Sequence, residues 1–143
     1  MNATVNTNPQ QRPWLKVYEE LGISGAAPVV EERSLADYIE QHVREHGRSA
    51  ALEYLGITVS YAELDALANR LANGLKGLGI VKGDVIGIHL PNTPQYIITL
   101  VAAAKLGAAV SGVSPLLTPA EVTHQVNDAG IKVLISLDQL YNA

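Results

Sequence analysis

An α/β fold is what this sequence predicts: alternating helices and mostly parallel strands, preceded by a short β-hairpin. Two observations carry the prediction. From Ser60 onward, stretches with apolar residues at helical spacing alternate with short, nearly continuous apolar runs. Such runs suit strands covered on both faces, and their alternation with amphipathic helices implies right-handed crossovers in a parallel sheet. The helical stretches also open on capping residues and close on glycine, which marks their boundaries. The chain has 143 residues, 48% hydrophobic and 17% charged, enough for about one domain with its own core and unlike a disordered chain.

The elements follow in order. Residues 1–12 are polar and rich in Asn, Thr and Gln, and are expected to be a disordered leader. Residues 13–33 are expected to be an extended segment in which Trp14, Leu15, Val17 and Tyr18 form a short apolar anchor, followed by a Gly/Ala/Pro loop over 22–30. The α/β region spans 34–143. Ser34 is an N-cap with Asp37 three places on; Leu35, Tyr38, Ile39 and Val43 recur at helical spacing, and Gly47 is the expected stop. Ala50 to Val59 reads as a hairpin turning at Gly56. Ser60 with Glu63 forms a capping box, and Leu64, Leu67, Ala68, Leu71, Leu75 and Leu78 make one stripe ending at Gly79. Val85 to Leu90 is an apolar strand. Asn92 or Thr93 caps the next helix, with Pro94 in its first turn and Gly107 after it. Ala108 to Val113 is a second buried strand. Thr118 and Glu121 form another capping box, Gly130 closes that helix, and Ile131 to Leu137 is a third apolar strand.

Composition excludes several functions. Ten basic against fourteen acidic residues, net −4, with no basic run, argue against a nucleic-acid surface. The absence of cysteine excludes a disulfide scaffold, a thiol nucleophile and a thiolate metal site. The longest apolar region, Ile97 to Val113, is shorter than a membrane span and is broken by Lys105, Gly107 and Gly112. A soluble, cytoplasmic protein is the expectation.

In an open α/β sheet, ligands bind beyond the carboxyl ends of the strands. The loops Pro91–Pro94, Ser114–Thr118 and the tail after Leu137 are therefore the candidate positions. Neither G-x-x-x-x-G-K-[ST] nor a G-x-G-x-x-G after a strand occurs. Gly74, Gly77 and Gly79 are read as close helix packing and a helix stop. His42-Val43-Arg44-Glu45-His46 matches H-x-x-E-H, a zinc-hydrolase pattern in which Glu45 would be the base and Glu121 a third ligand. Its plainer role is the polar end of an amphipathic helix, where His suits the dipole. His89 within an apolar strand reads as a sheet-surface or satisfied core imidazole, and His124 as part of a solvated helix face. The pairs Glu19/Glu20 and Glu31/Glu32 are adjacent in sequence, which does not make them converge. Ser34, Ser60 and Thr118 serve as caps, and Lys105 reads as a surface charge near a helix end. No catalytic, cofactor-binding or metal-binding residue is assigned.

Several segments together resemble a family. Val59-Ser60-Tyr61-Ala62-Glu63-Leu64 is similar to L-[TS]-Y-x-E-L, with Val in place of the first Leu. Lys82-Gly83-Asp84-Val85 and Leu90-Pro91-Asn92 follow. Then come Lys105-Leu106-Gly107-Ala108 and Ser114-Pro115-Leu116-Leu117-Thr118, where the family often has Asn at the place of Ser114. His124-Gln125-Val126-Asn127-Asp128 resembles the fatty-acid and coumarate ligase branches. Arg12-Pro13-Trp14-Leu15 and Tyr18, ahead of Ser34-Leu35, resemble the start of bacterial long-chain fatty-acyl ligases. In this order, over residues 12 to about 140, the chain resembles the N-terminal part of adenylate-forming acyl-CoA synthetases, nearest the fatty-acid–CoA ligases.

The resemblance implies a two-step reaction. A carboxylate and ATP give an acyl-adenylate and pyrophosphate; coenzyme A then displaces AMP to form a thioester, and Mg²⁺ offsets phosphate charge. ATP, Mg²⁺ and CoA are thus expected for a full-length parent and none for this stretch, because the phosphate loop, adenine-binding segment, hinge and C-terminal catalytic Lys of the family come later. The expectation is a fragment, inactive alone, whose partners are the rest of the parent chain and, in the parent, a fatty acid. Strands 85–90, 108–113 and 131–137, partly uncovered, would favour self-association, and peripheral membrane association stays open for the parent. The alternative is a non-catalytic α/β interaction module on the synthetase scaffold.

Overall fold

The computed structural model describes residues 12–25 and 31–141. The expected leader lies almost wholly outside them, as does the end of the 22–30 loop. The chain divides into two compact units, residues 1–32 and 33–143.

In the first unit, part of the segment expected to be extended is helical: α1, Trp14–Glu20. Trp14, Val17, Tyr18 and Leu21 recur at helical spacing, and this periodicity outweighs the lack of a side-chain cap.

The second unit is an α/β structure with a parallel sheet and an antiparallel hairpin. Its first helix is α2, Leu35–His46, and the hairpin is β1, Ala50–Tyr54, with β2, Ile57–Ser60. Helix α3, Tyr61–Gly77, precedes β3, Val85–His89; α4, Pro94–Leu106, precedes β4, Ala109–Gly112. Helix α5, Pro119–Asp128, leads to β5, Ile131–Ser136, and the short α6, Asp138–Tyr141, ends the described chain. The capping boxes of Ser34/Asp37, Ser60/Glu63 and Thr118/Glu121 all form, each hydroxyl accepting from the N3 amide while the carboxylate accepts from the cap amide.

The hairpin turns on Leu55 and Gly56, with φ of 47° and 81°. Positive φ at both central residues is the turn that matches strand twist, and it strains leucine. Helix α3 ends one residue before Leu78, so Leu78 leaves the apolar stripe and is 72% exposed. Gly79 follows with φ of 87°. Gly74 and Gly77 have open space where a Cβ would sit, so close helix packing, expected there, does not occur. Gly47 has right-handed φ; what it provides is closeness, since a Cβ would lie 2.7 Å from the Val43 carbonyl oxygen.

The parallel sheet has the order β4-β3-β5, so β3 is central and nearly all buried. Strands β4 and β5, expected as a buried and an apolar strand, are the edges of this sheet and are mostly half-buried. Ile86, Val110, Val133 and Ile135 face Leu64, Ala68, Leu75, Val101 and Ala102 of α3 and α4 in the core. The opposite face carries Gly87, Ser111 and Leu134 in register, and α5 reaches it through Gln125 Nε2, which donates to the Gly112 carbonyl at 2.9 Å. Asp84 accepts from the Val81 amide at 2.8 Å and from Lys132 Nζ at 2.9 Å, joining the turn before β3 to β5. The Val81 N–H first, and Lys132 next, hold the Asp84 carboxyl below its usual range. Among the described residues, no helix is long and apolar enough to cross a membrane.

Candidate functional site

The order β4-β3-β5 creates a reversal. The chain leaves β3 for one side, enters β4, then passes over to β5 on the far side of β3. The carboxyl ends of these strands, where helices diverge to opposite faces, are where such sheets take ligands. Three segments meet that edge: His89 to Pro94, Val113 to Thr118, and Ser136 to Asp138.

His89 ends the central strand and is 7% exposed. Its Nδ1 lies 3.1 Å from Ser136 Oγ of β5, while Nε2 is shielded from solvent without a hydrogen-bond partner in this chain. The imidazole is therefore a core residue satisfied on one side only. Thr93, at the N-cap of α4, makes no side-chain cap bond, and its Oγ1 is also shielded without a partner. The Tyr96 amide at N3, which a cap hydroxyl would accept from, donates instead to the Thr93 backbone carbonyl at 3.0 Å. Beside it, a groove of about 240 Å³ opens between the hairpin and α4, lined by Leu52, Tyr54, Asn92, Thr93, Tyr96 and Ile97.

The hydroxyls of the other three caps are engaged. Ser60 Oγ donates to Glu63 at 2.7 Å, Ser34 Oγ to Asp37 at 2.7 Å and Thr118 Oγ1 to Glu121 at 2.8 Å. The cap amides, then the hydroxyls, lower the pKa of Glu63 and Glu121; at Asp37 the hydroxyl leads. A carboxylate held ionised in this way caps a helix and is a poor general base. Ser114 Oγ accepts from the Leu116 amide at 3.3 Å, tightening its loop.

The zinc-hydrolase arrangement is not assembled. His42 and His46 are neighbours, ring centroids 5.3 Å apart, but among the described residues no group of three or more His, Asp or Glu side chains is placed to hold a metal. Glu121 is committed to capping α5. His124 is exposed on α5, as expected, and Glu19, Glu20, Glu31 and Glu32 are exposed.

Lys105 corrects the sequence expectation. Its side chain is only 12% exposed, with Nζ 2.8 Å from Asp65 Oδ1 of α3 and 3.5 Å from Glu40 Oε1 of α2. It is an ion-paired tie between three helices. Its place one turn after the buried Val101 was the available sequence signal.

Comparison with known proteins places this geometry. Residues 39–142 match the profile of a family described as AMP-binding enzyme. A long-chain-fatty-acid–CoA ligase of Escherichia coli O6:H1 is 34% identical over 104 residues, covering 72% of this chain and 18% of that one. Rice 4-coumarate–CoA ligase 5 is 32% identical over 104 residues, covering 71% and 19%. The inhibitor-bound N-terminal domain of FACL13 from Mycobacterium tuberculosis superposes with a TM-score of 0.70 at 30% identity, covering 77% of this chain and 29% of that one. The chain thus spans about a fifth of the length of the curated relatives it matches.

Proposed function

Because the chain belongs to the AMP-binding enzyme family, we propose that it serves as the N-terminal α/β region of an ATP-dependent fatty-acid–CoA ligase and does not adenylate a carboxylate alone. Its place as an N-terminal region of adenylate-forming acyl-CoA ligases rests on the family match and on the shared fold. The fatty-acid substrate is supported by the E. coli relative, whose name carries it. ATP, Mg²⁺ and CoA belong to the proposed parent reaction, in which the metal would offset charge on the phosphates. The cytoplasm is the compartment we propose, where ATP and CoA are at hand.

Two observations support the inactivity: the hydroxyls of Ser34, Ser60 and Thr118 are bound to the carboxylates of their own capping boxes, and the sequence holds no glycine-rich phosphate loop. What this region contributes is the carboxyl-end rim of the sheet, where buried His89 meets Ser136 and Thr93 lines a groove, and against which the rest of an active site is built. Pyrophosphate release with ATP, Mg²⁺ and a long-chain fatty acid tests this. The 143 residues are expected to give background rates, and turnover like that of a complete ligase overturns the proposal. The open edges of β4 and β5 favour self-association; sedimentation is expected to show mass above monomer at high concentration, and a clean monomer would remove that part.

A further inference from the structure

We propose that His42 and His46 form a two-imidazole surface site for a divalent transition-metal ion of the copper and zinc class, with water filling the remaining positions. The two residues are one turn apart near the C-terminal end of α2, and their ring centroids are 5.3 Å apart. Two imidazoles bound to one ion at about 2.0–2.1 Å in a tetrahedral arrangement put their centroids about 5 Å apart, so little movement is required.

Both rings have neighbours that restrict them. His42 leans on the Tyr61 ring, centroids 5.4 Å apart. His46 Nε2 lies 3.9 Å from Glu45 Oε2, and Glu45 is itself held by Gln41 Nε2, which donates to Oε1 at 2.8 Å. With Nε2 on the side of the Glu45 carboxylate, Nδ1 is the His46 nitrogen left to face the metal. The end of α2 adds its partial negative charge, which favours a cation. Arg44 projects from the opposite side of the helix. His46 is about half exposed, so an ion reaches it without opening the fold.

Two protein donors make a weak, exchangeable site. It is unlike the three-ligand catalytic zinc centre that the same five residues suggest in sequence. It is also independent of the ligase proposal, since it uses neither the strand edge nor the groove. Binding favours the helical state of α2, because only the helix brings the two rings together, and so raises the unfolding midpoint.

Copper(II) is the probe of choice, since it binds nitrogen donors most tightly in the divalent series. Titration of the 143-residue chain followed by electron paramagnetic resonance is expected to show one site with two imidazole nitrogens. His42→Gln and His46→Gln each lower the affinity by at least about tenfold, and His124→Gln leaves it unchanged. Zinc is expected to raise the unfolding midpoint of the wild-type chain and not that of His46→Gln, whose metal-free midpoint is unaltered because the residue is exposed. A single coordinated nitrogen, unchanged affinity in His46→Gln, or an equal loss in His124→Gln overturns the proposal.

Discussion

Replacing Lys105 by Met removes the ammonium that ties α4 to α2 and α3 and leaves Asp65 Oδ1 shielded with no other donor. Breaking one side of a fully buried ion pair costs about 3–5 kcal/mol. Asp65 is 23% exposed and its other oxygen still accepts from Asn69 at 2.9 Å, so the cost falls to about 2 kcal/mol. Glu40, half exposed and 3.5 Å away, adds little. Urea unfolding reads this as a midpoint lowered by about 1 M at unchanged slope. Because the pair is largely shielded, 1 M NaCl is expected to recover little of the loss. Lys105→Met with Asp65→Leu is expected to regain most of the stability, since no charge is then left stranded. A single-variant loss below about 0.5 kcal/mol, or a double variant no better than the single, refutes the account of Lys105 as a buried tie.

Gly87→Ala puts a Cβ 2.6 Å from Leu134 Cδ1 and 3.0 Å from Ile131 at the middle of the sheet; overpacking of that kind is expected to cost about 1–3 kcal/mol, read as a lower urea midpoint. Leu55→Asn relieves a leucine at φ 47° whose side chain is 85% exposed, and a gain of about 1 kcal/mol is expected by thermal melting. The pKa values of Glu63, Glu121 and Asp37 are depressed in the folded state. Their contribution is therefore complete above the ordinary carboxylate range and lost as pH falls through the lowered values. The urea midpoint of the wild type is expected to fall below about pH 4.5, the ordinary value for Glu63, and Ser60→Ala is expected to make that decline shallower.

What the sequence revealed was mainly local. Ser60 and Glu63, or Thr118 and Glu121, interact across three residues, so their spacing states the helix start before any tertiary contact exists. The continuous apolar run of β3 marked a strand buried on both faces, and β3 is the centre of the sheet. The similar runs of β4 and β5 did not disclose that both are edges, because hydrophobicity along a strand does not say which strands flank it. Lys105 was hidden for the same reason: its partners Asp65 and Glu40 lie on other helices. At the candidate site, the strand-end loops were marked by Pro91, Asn92 and Ser114, and His89 by its apolar surroundings. That its Nδ1 meets Ser136 depends on β5 lying beside β3, and no local pattern encodes that neighbour.

The order of the three strands also shapes how this chain is made. The innermost strand leaves the ribosome first and waits for its second neighbour, since His89 meets a residue 47 positions downstream. At about 5–20 residues per second, that gap lasts about 2–9 s. During synthesis one flank of β3 is then open to any nascent strand nearby, and slowed translation between Gly112 and Ile131 would lengthen that exposure.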